Sequence, residues 1–246
     1  MIEAQLIGRL GNQMFQYATC RTIAEKLGYS FYINPSTWLG FDLFHVFFGE
    51  KKGANLTHRY EEGELRYDPR IMDIKDGTWL EGYFQSEKYF DNDKAREWFK
   101  ICPPNDKKVD KIMSQYPIDE YCYINLRGTD VKEMGVQKLH IDYYHKAREI
   151  VLSQNPNMKF IVITDDEPYG HEYFPDYPVM NNSVRVDFML LNRAKYLILA
   201  NSSFAWWAAW LNLDNFVITP HGWLNVNINN WKPMPEDIKV ARFIWI

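Results

Sequence analysis

Four short segments of this 246-residue sequence combine residue types and spacings that could do chemistry, three of them by holding an anion. Gly8-Arg9-Leu10-Gly11-Asn12-Gln13 offers two glycines that let the backbone turn sharply and approach a ligand. It also sets the amides of Asn12 and Gln13 at a helix N-terminus, where negative charge is favoured. A plain strand-to-helix turn fits the same spacing equally well. In Asn125-Leu126-Arg127-Gly128-Thr129-Asp130, a guanidinium stands at the end of an apolar run and needs a partner. Phosphate oxygens match its fork; a structural salt bridge to Asp130 would satisfy it too. Asn201-Ser202-Ser203-Phe204 brings two hydroxyls and fresh backbone N–H groups to a helix start, which is an anion site or simply an N-cap at Ser202. Trp206 and Trp207 follow and cannot share one helix face, so one is expected in the core and the other facing a ligand cleft. Thr164-Asp165-Asp166 ends a strongly apolar run. Adjacent carboxylates diverge and no further ligand set accompanies them, which favours polar loop or substrate-hydroxyl contacts over a metal.

The elements that must carry these segments alternate. Residues 3–7 read as a strand, 14–27 as a helix with Gly28 as its cap, and 29–33 as a second strand, which together make a βαβ unit. Residues 35–75 are irregular and aromatic, with a loop-and-helix insertion as the reading. A strand is expected at 78–83 and a helix over 86–100. Cys102-Pro103-Pro104-Asn105-Asp106 is the linker candidate, because prolines bar helix continuation. The pattern then restarts: helix 107–115, strand 121–126, helix 142–153, strand 160–164, helix 186–194, strand 196–199, helix 204–213, strand 216–218 and a closing tail from 233. The expected fold class is α/β, with two facing Rossmann-like domains, 1–104 and 105–246, and a cleft between them. Ligands in such sheets lie beyond the carboxyl ends of strands, where the four segments fall.

Composition removes several function classes. Net charge is −4 with no basic stripe, so nucleic acid is not an expected partner. Cys20, Cys102 and Cys122 are odd in number and widely spaced, which argues against a disulfide framework or structural zinc and for reduced thiols in the cytoplasm. No signal peptide or membrane span is visible, so a membrane-held acceptor would be met at the surface. The spacing at residues 8–11 is GxxG rather than GxGxxG, and no phosphate-loop, GxSxG or HExxH pattern occurs, so neither a nicotinamide cofactor nor a metal is expected.

Taken together, Gly8-Arg-Leu-Gly-Asn-Gln-Met-Phe-Gln-Tyr-Ala18, Gly82-Tyr-Phe-Gln-Ser-Glu-Lys-Tyr-Phe90 and Asn201-Ser-Ser-Phe-Ala-Trp-Trp-Ala-Ala-Trp-Leu211 resemble the α-1,2-fucosyltransferases of glycosyltransferase family 11. Asp142-Tyr-Tyr144 and Thr164-Asp-Asp166 add to the likeness. The resemblance implies a GT-B fold, GDP-fucose as donor, a glycan acceptor, no metal or cofactor, and inversion at the anomeric carbon. By that likeness Arg127, Ser202 and Ser203 hold the diphosphate, Asp187 reads guanine, and Asn12 sits near the sugar. Gly11, Gln13, Asn125, Asp165, Asn201 and Phe204 complete the implied donor site. Without a metal, Arg127 and the 201–204 turn are expected to stabilise the leaving diphosphate, and Asp130 and Glu133, just beyond the arginine turn, are the candidates for the base. The family's His-x-Arg-Arg-Gly-Asp appears here as Asn125-Leu-Arg-Gly-Thr-Asp130, so Asn125 replaces the histidine and Gly128 the second arginine.

Overall fold

Short apolar runs separated by helical stretches favour parallel pairing, since parallel strands need a crossover between them. The computed structural model, described over residues 1–50, 56–64, 66–129, 139–221 and 236–246, holds two sheets whose strand pairs are all parallel. The chain divides into two compact units, Met1–Pro104 with Pro235–Val240, and Asn105–Met234 with Ala241–Ile246.

In the first unit β1 (Ile2–Ala4), β2 (Phe31–Ile33), β3 (His58–Glu61) and β4 (Thr78–Glu81) lie in the order β2-β1-β4-β3. The crossover from β1 to β2 is α1 (Leu10–Leu27), which ends on Gly28 with φ +70°, its N–H donating to the Ala24 carbonyl. A left-handed residue at this position is where glycine costs nothing. The helix begins earlier than its apolar spacing suggests. Gly8, at φ +75°, makes the turn alone, and Gly11, Asn12 and Gln13 lie in the first helical turn. The expected helix over 86–100 is in fact a 3₁₀ turn at Glu87–Tyr89 followed by α2 (Asn92–Trp98), with Asp91 capping the break.

The second unit opens with α3 (Lys107–Gln115), capped by Asp106. Its sheet contains β5 (Tyr121–Leu126), β6 (Lys159–Thr164), β7 (Val179–Met180), β8 (Tyr196–Ile198), β9 (Phe216–Thr219) and β10 (Ile244–Trp245), in the order β10-β9-β8-β5-β6-β7. The crossovers include α4 (Ile141–Gln154), α5 (Glu167–Tyr173), α6 (Val184–Arg193) and α7 (Ser203–Leu211). One sheet face, with Cys122, Ile124, Phe160, Val162, Ile198 and Ile218, packs on Tyr144, Ala147 and Val151 of α4 and on Tyr169 of α5. Both Trp206 and Trp207 are fully buried, correcting the expectation that one faces a ligand. With Trp210 they form a packed trio, since the small Ala205, Ala208 and Ala209 let neighbouring elements close around every side of this helix. Among the described residues no helix is long and apolar enough to cross a membrane.

The last residues are not a simple tail. Residues 236–240 belong with the first unit, where the Asp237 carboxylate accepts from the Tyr67 N–H at 2.8 Å and pairs with Lys88. Ile244 and Trp245 add an edge strand beside β9. Between them, Arg242 donates to the Ala209, Trp210 and Asn212 carbonyls at 2.8, 3.1 and 2.8 Å and to Asn215 Oδ1 at 2.7 Å. A cation at the carbonyl end of a helix both satisfies orphan acceptors and complements the dipole. Arg242→Ala is expected to cost about 2 kcal/mol, read as a lower urea midpoint. An unchanged midpoint would remove Arg242 from the support of α7.

Candidate functional site

Because β5, β6 and β8 run parallel, the segments that follow them leave the sheet at one edge. Arg127, just past β5, donates from Nη1 to the Asn201 carbonyl past β8 at 2.9 Å. On the other side, Asp165 Oδ1 accepts from the Gly128 and Thr129 N–H groups at 2.8 and 3.2 Å, and the Thr129 hydroxyl donates to the Asp165 carbonyl at 3.1 Å. Three strand ends are thereby knitted into one polar rim. The salt-bridge alternative for Arg127 named Asp130; that residue and Glu133 lie outside the described residues.

Gly128 stands where the family pattern has an arginine, and packing explains why. A Cβ there would meet Asp166 Cβ at 2.4 Å and the Tyr169 ring at 3.0 Å. Asp166 cannot retreat easily, because its carboxylate caps α5 by accepting from the Tyr169 N–H at 3.1 Å. Both carboxylates of the Asp165-Asp166 pair therefore serve local backbone N–H groups. Among the described residues no group of three metal-binding side chains converges.

Asp187 sits in the first turn of α6 at 9% exposure. Asn182 donates to it from Nδ2 at 2.9 Å and from its backbone N–H at 3.4 Å. The neighbouring Asn181 donates to the Asp165 carbonyl at 3.4 Å, so the chain after β7 joins Asp187 to the rim. Sequence reasoning missed Asn181 and Asn182; an Asn-Asn-Ser run before a helix was the available signal. A groove of about 540 Å³ opens beside them, lined also by Lys108, Lys111 and Glu167. Asn125, at the end of β5, is 8% exposed, and its Oδ1 finds no donor among the described residues. Ser202 Oγ accepts from the Ala205 N–H at 3.4 Å and so caps α7. Ser202 and Ser203 remain half-buried at that helix start, while the Phe204 ring meets Phe188 edge-on.

The residues of the first unit fall at its own sheet edge. Asn12 is half-buried and accepts from Gln85 Nε2 at 2.9 Å, joining the segments 8–18 and 82–90. Gln16 ties the same segments, accepting from the Ile7 N–H and donating to the Gly82 carbonyl. Gly11 is buried within α1. Gln13 is buried as well, and its amide is spent internally: Nε2 donates to the Thr37 carbonyl and Oε1 accepts from the Leu39 N–H, both at 2.9 Å. It braces a loop where the sequence suggests a ligand donor.

Comparison with known proteins follows this geometry. The model described as Glycosyl transferase family 11 matches residues 79–232. The chain is 29% identical to an α-1,2-colitosyltransferase of Escherichia coli, covering 96% of this chain and 97% of that one. It is 26% identical to the O-antigen biosynthesis glycosyltransferase WbnK of Escherichia coli, covering 90% and 94%. Among solved structures, fucosyltransferase NodZ from Bradyrhizobium superposes with a TM-score of 0.52 at 12% identity, covering 87% and 95%. POFUT1 in complex with GDP superposes with a TM-score of 0.53 at 10% identity, covering 92% and 98%. The chain thus has the α/β fold of the GT-B type that these fucosyltransferases share.

Burial raises the Asp187 carboxyl from 3.8 to about 6, against the opposing hydrogen bonds from Asn182 and the charge of Lys108. The folded chain therefore holds a proton there that the unfolded chain has already released between about pH 4 and pH 6. Stability falls as pH rises through that window, and the full penalty, on the order of 2–3 kcal/mol, persists above it. Asp187→Asn is expected to melt higher than the parent at pH 7.5 and to match it near pH 4. Equal melting temperatures at pH 7.5 would contradict the burial of an ionised Asp187.

Proposed function

The chain belongs to glycosyltransferase family 11, whose model spans more than half of it, and from that premise we propose that it transfers L-fucose from GDP-fucose to a hydroxyl of an acceptor glycan. The hydroxyl in this reading is O2 of a galactose, the configuration at the anomeric carbon inverts, and no metal takes part. The observation that carries the reading is the Arg127 guanidinium tied to the Asn201 carbonyl, beside the hydroxyls of Ser202 and Ser203 at a helix start. Such a cluster suits a nucleoside diphosphate. The named ligands of the structural relatives, GDP in POFUT1 and GDP-fucose in NodZ, favour guanine as its base.

As the bond from the anomeric carbon to the diphosphate oxygen breaks, negative charge grows on GDP. Donors already fixed there stabilise the transition state more than the ground state. Arg127, the Ser202 and Ser203 hydroxyls and the N–H groups opening α7 fill that role. By the family likeness, Asn12 is the candidate for a contact to the sugar. Asp187 takes guanine N1–H and N2–H, a donor pair that adenine lacks. The acceptor oxygen attacks the opposite face of the anomeric carbon and gives its proton to a carboxylate, for which Asp130 and Glu133 stand as candidates. The metal-free reading is supported by the Asp165 and Asp166 carboxylates, which already serve backbone N–H groups. The unit that begins at Asn105 takes the GDP-sugar and the other unit the acceptor. Cys20, Cys102 and Cys122, none of them in a disulfide among the described residues, suit the cytoplasm.

A second donor is favoured by one observation. The relative at 29% identity transfers colitose by its name, so GDP-colitose belongs beside GDP-fucose and GDP-mannose in the assay. Turnover with GDP-fucose in EDTA is the expected result. Preference for GDP-colitose would reassign the sugar, and loss of turnover in EDTA would reject the metal-free mechanism.

Arg127→Ala is expected to lower kcat by at least ~10²-fold while the protein stays folded by circular dichroism. Arg127→Lys should recover only part of the loss, because a point charge cannot make a bidentate contact. Near-normal turnover of a folded Arg127→Ala would end the phosphate role.

A further inference from the structure

We propose that Glu62 is a positioning residue for the side-chain amide of Asn12, acting through the turn at residues 82–86 and the Gln85 side chain. The proposal rests on the transferase reading above, in which Asn12 is the candidate for a contact to the sugar, and adds to it the residues that aim that amide.

Glu62 follows β3, and its backbone N–H extends the ladder by donating to the Glu81 carbonyl of β4 at 2.9 Å. Its side chain then lies across the end of β4. Oε2 accepts from the Tyr83 N–H at 2.7 Å and from the Phe84 N–H at 3.0 Å. Gly82 permits the approach, because a Cβ there would meet Glu62 Cβ at 2.5 Å and Oε2 at 2.9 Å. From α1, Gln16 donates to the Gly82 carbonyl at 3.0 Å.

The backbone held in this way is strained. Phe84 has φ +52°, and among the described residues no other non-glycine residue has positive φ. For a bulky side chain that conformation is an outlier, which surrounding contacts must maintain. The Phe84 N–H is tied to Glu62, and its ring, 1% exposed, stacks on Tyr60 at 6.4 Å and meets Tyr89 edge-on at 5.4 Å. The Phe84 carbonyl accepts from the Ser86 N–H at 2.8 Å, which closes a three-residue turn with Gln85 at its apex. From that apex Gln85 Nε2 donates to Asn12 Oδ1 at 2.9 Å. Relaxing Phe84 to an extended conformation would swing the chain that follows it, Gln85 first. Strain kept in the turn whose next residue grips Asn12 is the reason to read function here.

The bond to Gln85 decides the direction of the Asn12 amide. With Oδ1 engaged, Nδ2 is the end that donates. The nitrogen end is confined as well, since a Cβ at Gly8 would lie 2.6 Å from Nδ2. The oxygen that bridges a sugar to a phosphate can accept a hydrogen bond but has no proton to give. An amide turned the other way would set oxygen against oxygen. Glu62 and Gln85 therefore matter to the transfer step rather than to the hold on GDP, which lies with the other unit in this reading.

The test uses the full chain as parent, Glu62→Ala, Glu62→Gln, Gln85→Ala and the double variant Glu62→Ala with Gln85→Ala. Melting temperature, GDP affinity by calorimetry, and kcat and KM for GDP-fucose are measured. The side-chain amide signal of Asn12 is followed by NMR in protein with isotope-labelled asparagine. Glu62→Ala and Gln85→Ala are each expected to lower kcat about tenfold, to keep the parent's GDP affinity, and to move the Asn12 signal in the same direction. The double variant should lose about tenfold rather than about a hundredfold, because both residues act through one contact. Glu62→Gln keeps an oxygen acceptor for the two N–H groups and should recover most of the turnover. A multiplicative loss in the double variant overturns the proposal, as does an Asn12 signal that stays in place in Glu62→Ala. A loss of turnover matched by a fall in GDP affinity or melting temperature overturns it too, in favour of a purely structural role. If Glu62→Ala does not fold, Glu62→Asp takes its place, since the shorter side chain withdraws the carboxylate from the turn. If the parent transfers no sugar, the transferase reading fails, and the Asn12 signal still decides the positioning role by itself.

Discussion

The carboxylate of Asp165 is the constraint on which the arrangement of the second unit's rim depends. One oxygen takes two backbone N–H groups from the turn after β5, and that turn carries Arg127. Arg127 in turn reaches across to the Asn201 carbonyl and holds the start of α7. Each bond is modest by itself, about 1 kcal/mol for a neutral pair and more where one partner is charged. Their effect is geometric: together they fix the turn after β5 against the segments that follow β6 and β8. Gly128 fits the same logic. The turn lies so close to Asp166 and Tyr169 that a side chain would force them apart, so the tightness that fixes Arg127 excludes a second cation at the next position.

Asp187 shows the opposite side of such organisation. A carboxylate held at 9% exposure beside Asp165 is costly to ionise. Asn182 offsets part of that cost with two hydrogen bonds but does not supply a counter-charge. Structural requirements alone would be met by an uncharged residue of the same shape. That α6 keeps an acid in its first turn, where an amide would serve packing as well, is the physical reason to read Asp187 as a ligand contact.

Much of the second unit was readable from sequence because its strands are buried on both faces. Phe160-Ile-Val-Ile-Thr164 is a continuous apolar run that only a central parallel strand accommodates. The helix at 107–115 and the strand at 121–126 fall where the spacing puts them. What escaped were elements without periodicity: β7 has two residues, β10 has two, and α5 is a seven-residue helix that carries a proline and a glycine. In the site, residue type misled where its environment was hidden. Gln13 looks like a ligand donor until Thr37 and Leu39 are seen to use its amide. The tryptophan pair looks divided between core and ligand until small residues on α7 prove to let both be enclosed. Contacts such as Asn12 with Gln85, 73 positions apart, have no local signature.

In the proposed reaction the two substrates make different demands on the protein. In the reading proposed above, the donor releases a nucleoside diphosphate that gains a negative charge as the bond breaks, and the acceptor delivers a neutral hydroxyl. On that proposal the leaving group needs fixed positive potential, for which the second unit offers the Arg127 guanidinium and the start of α7. The incoming sugar carries no charge to steer it, so its recognition has to come from apolar contact and from hydrogen bonds that are neutral on both sides. Net charge does not separate the two halves of the chain: residues 1–104 carry 13 Lys and Arg against 15 Asp and Glu, and residues 105–246 carry 15 against 17. On such a chain a phosphate site would have to come from placement, one guanidinium and the N–H groups of a helix start brought to the same sheet edge, rather than from an excess of basic residues.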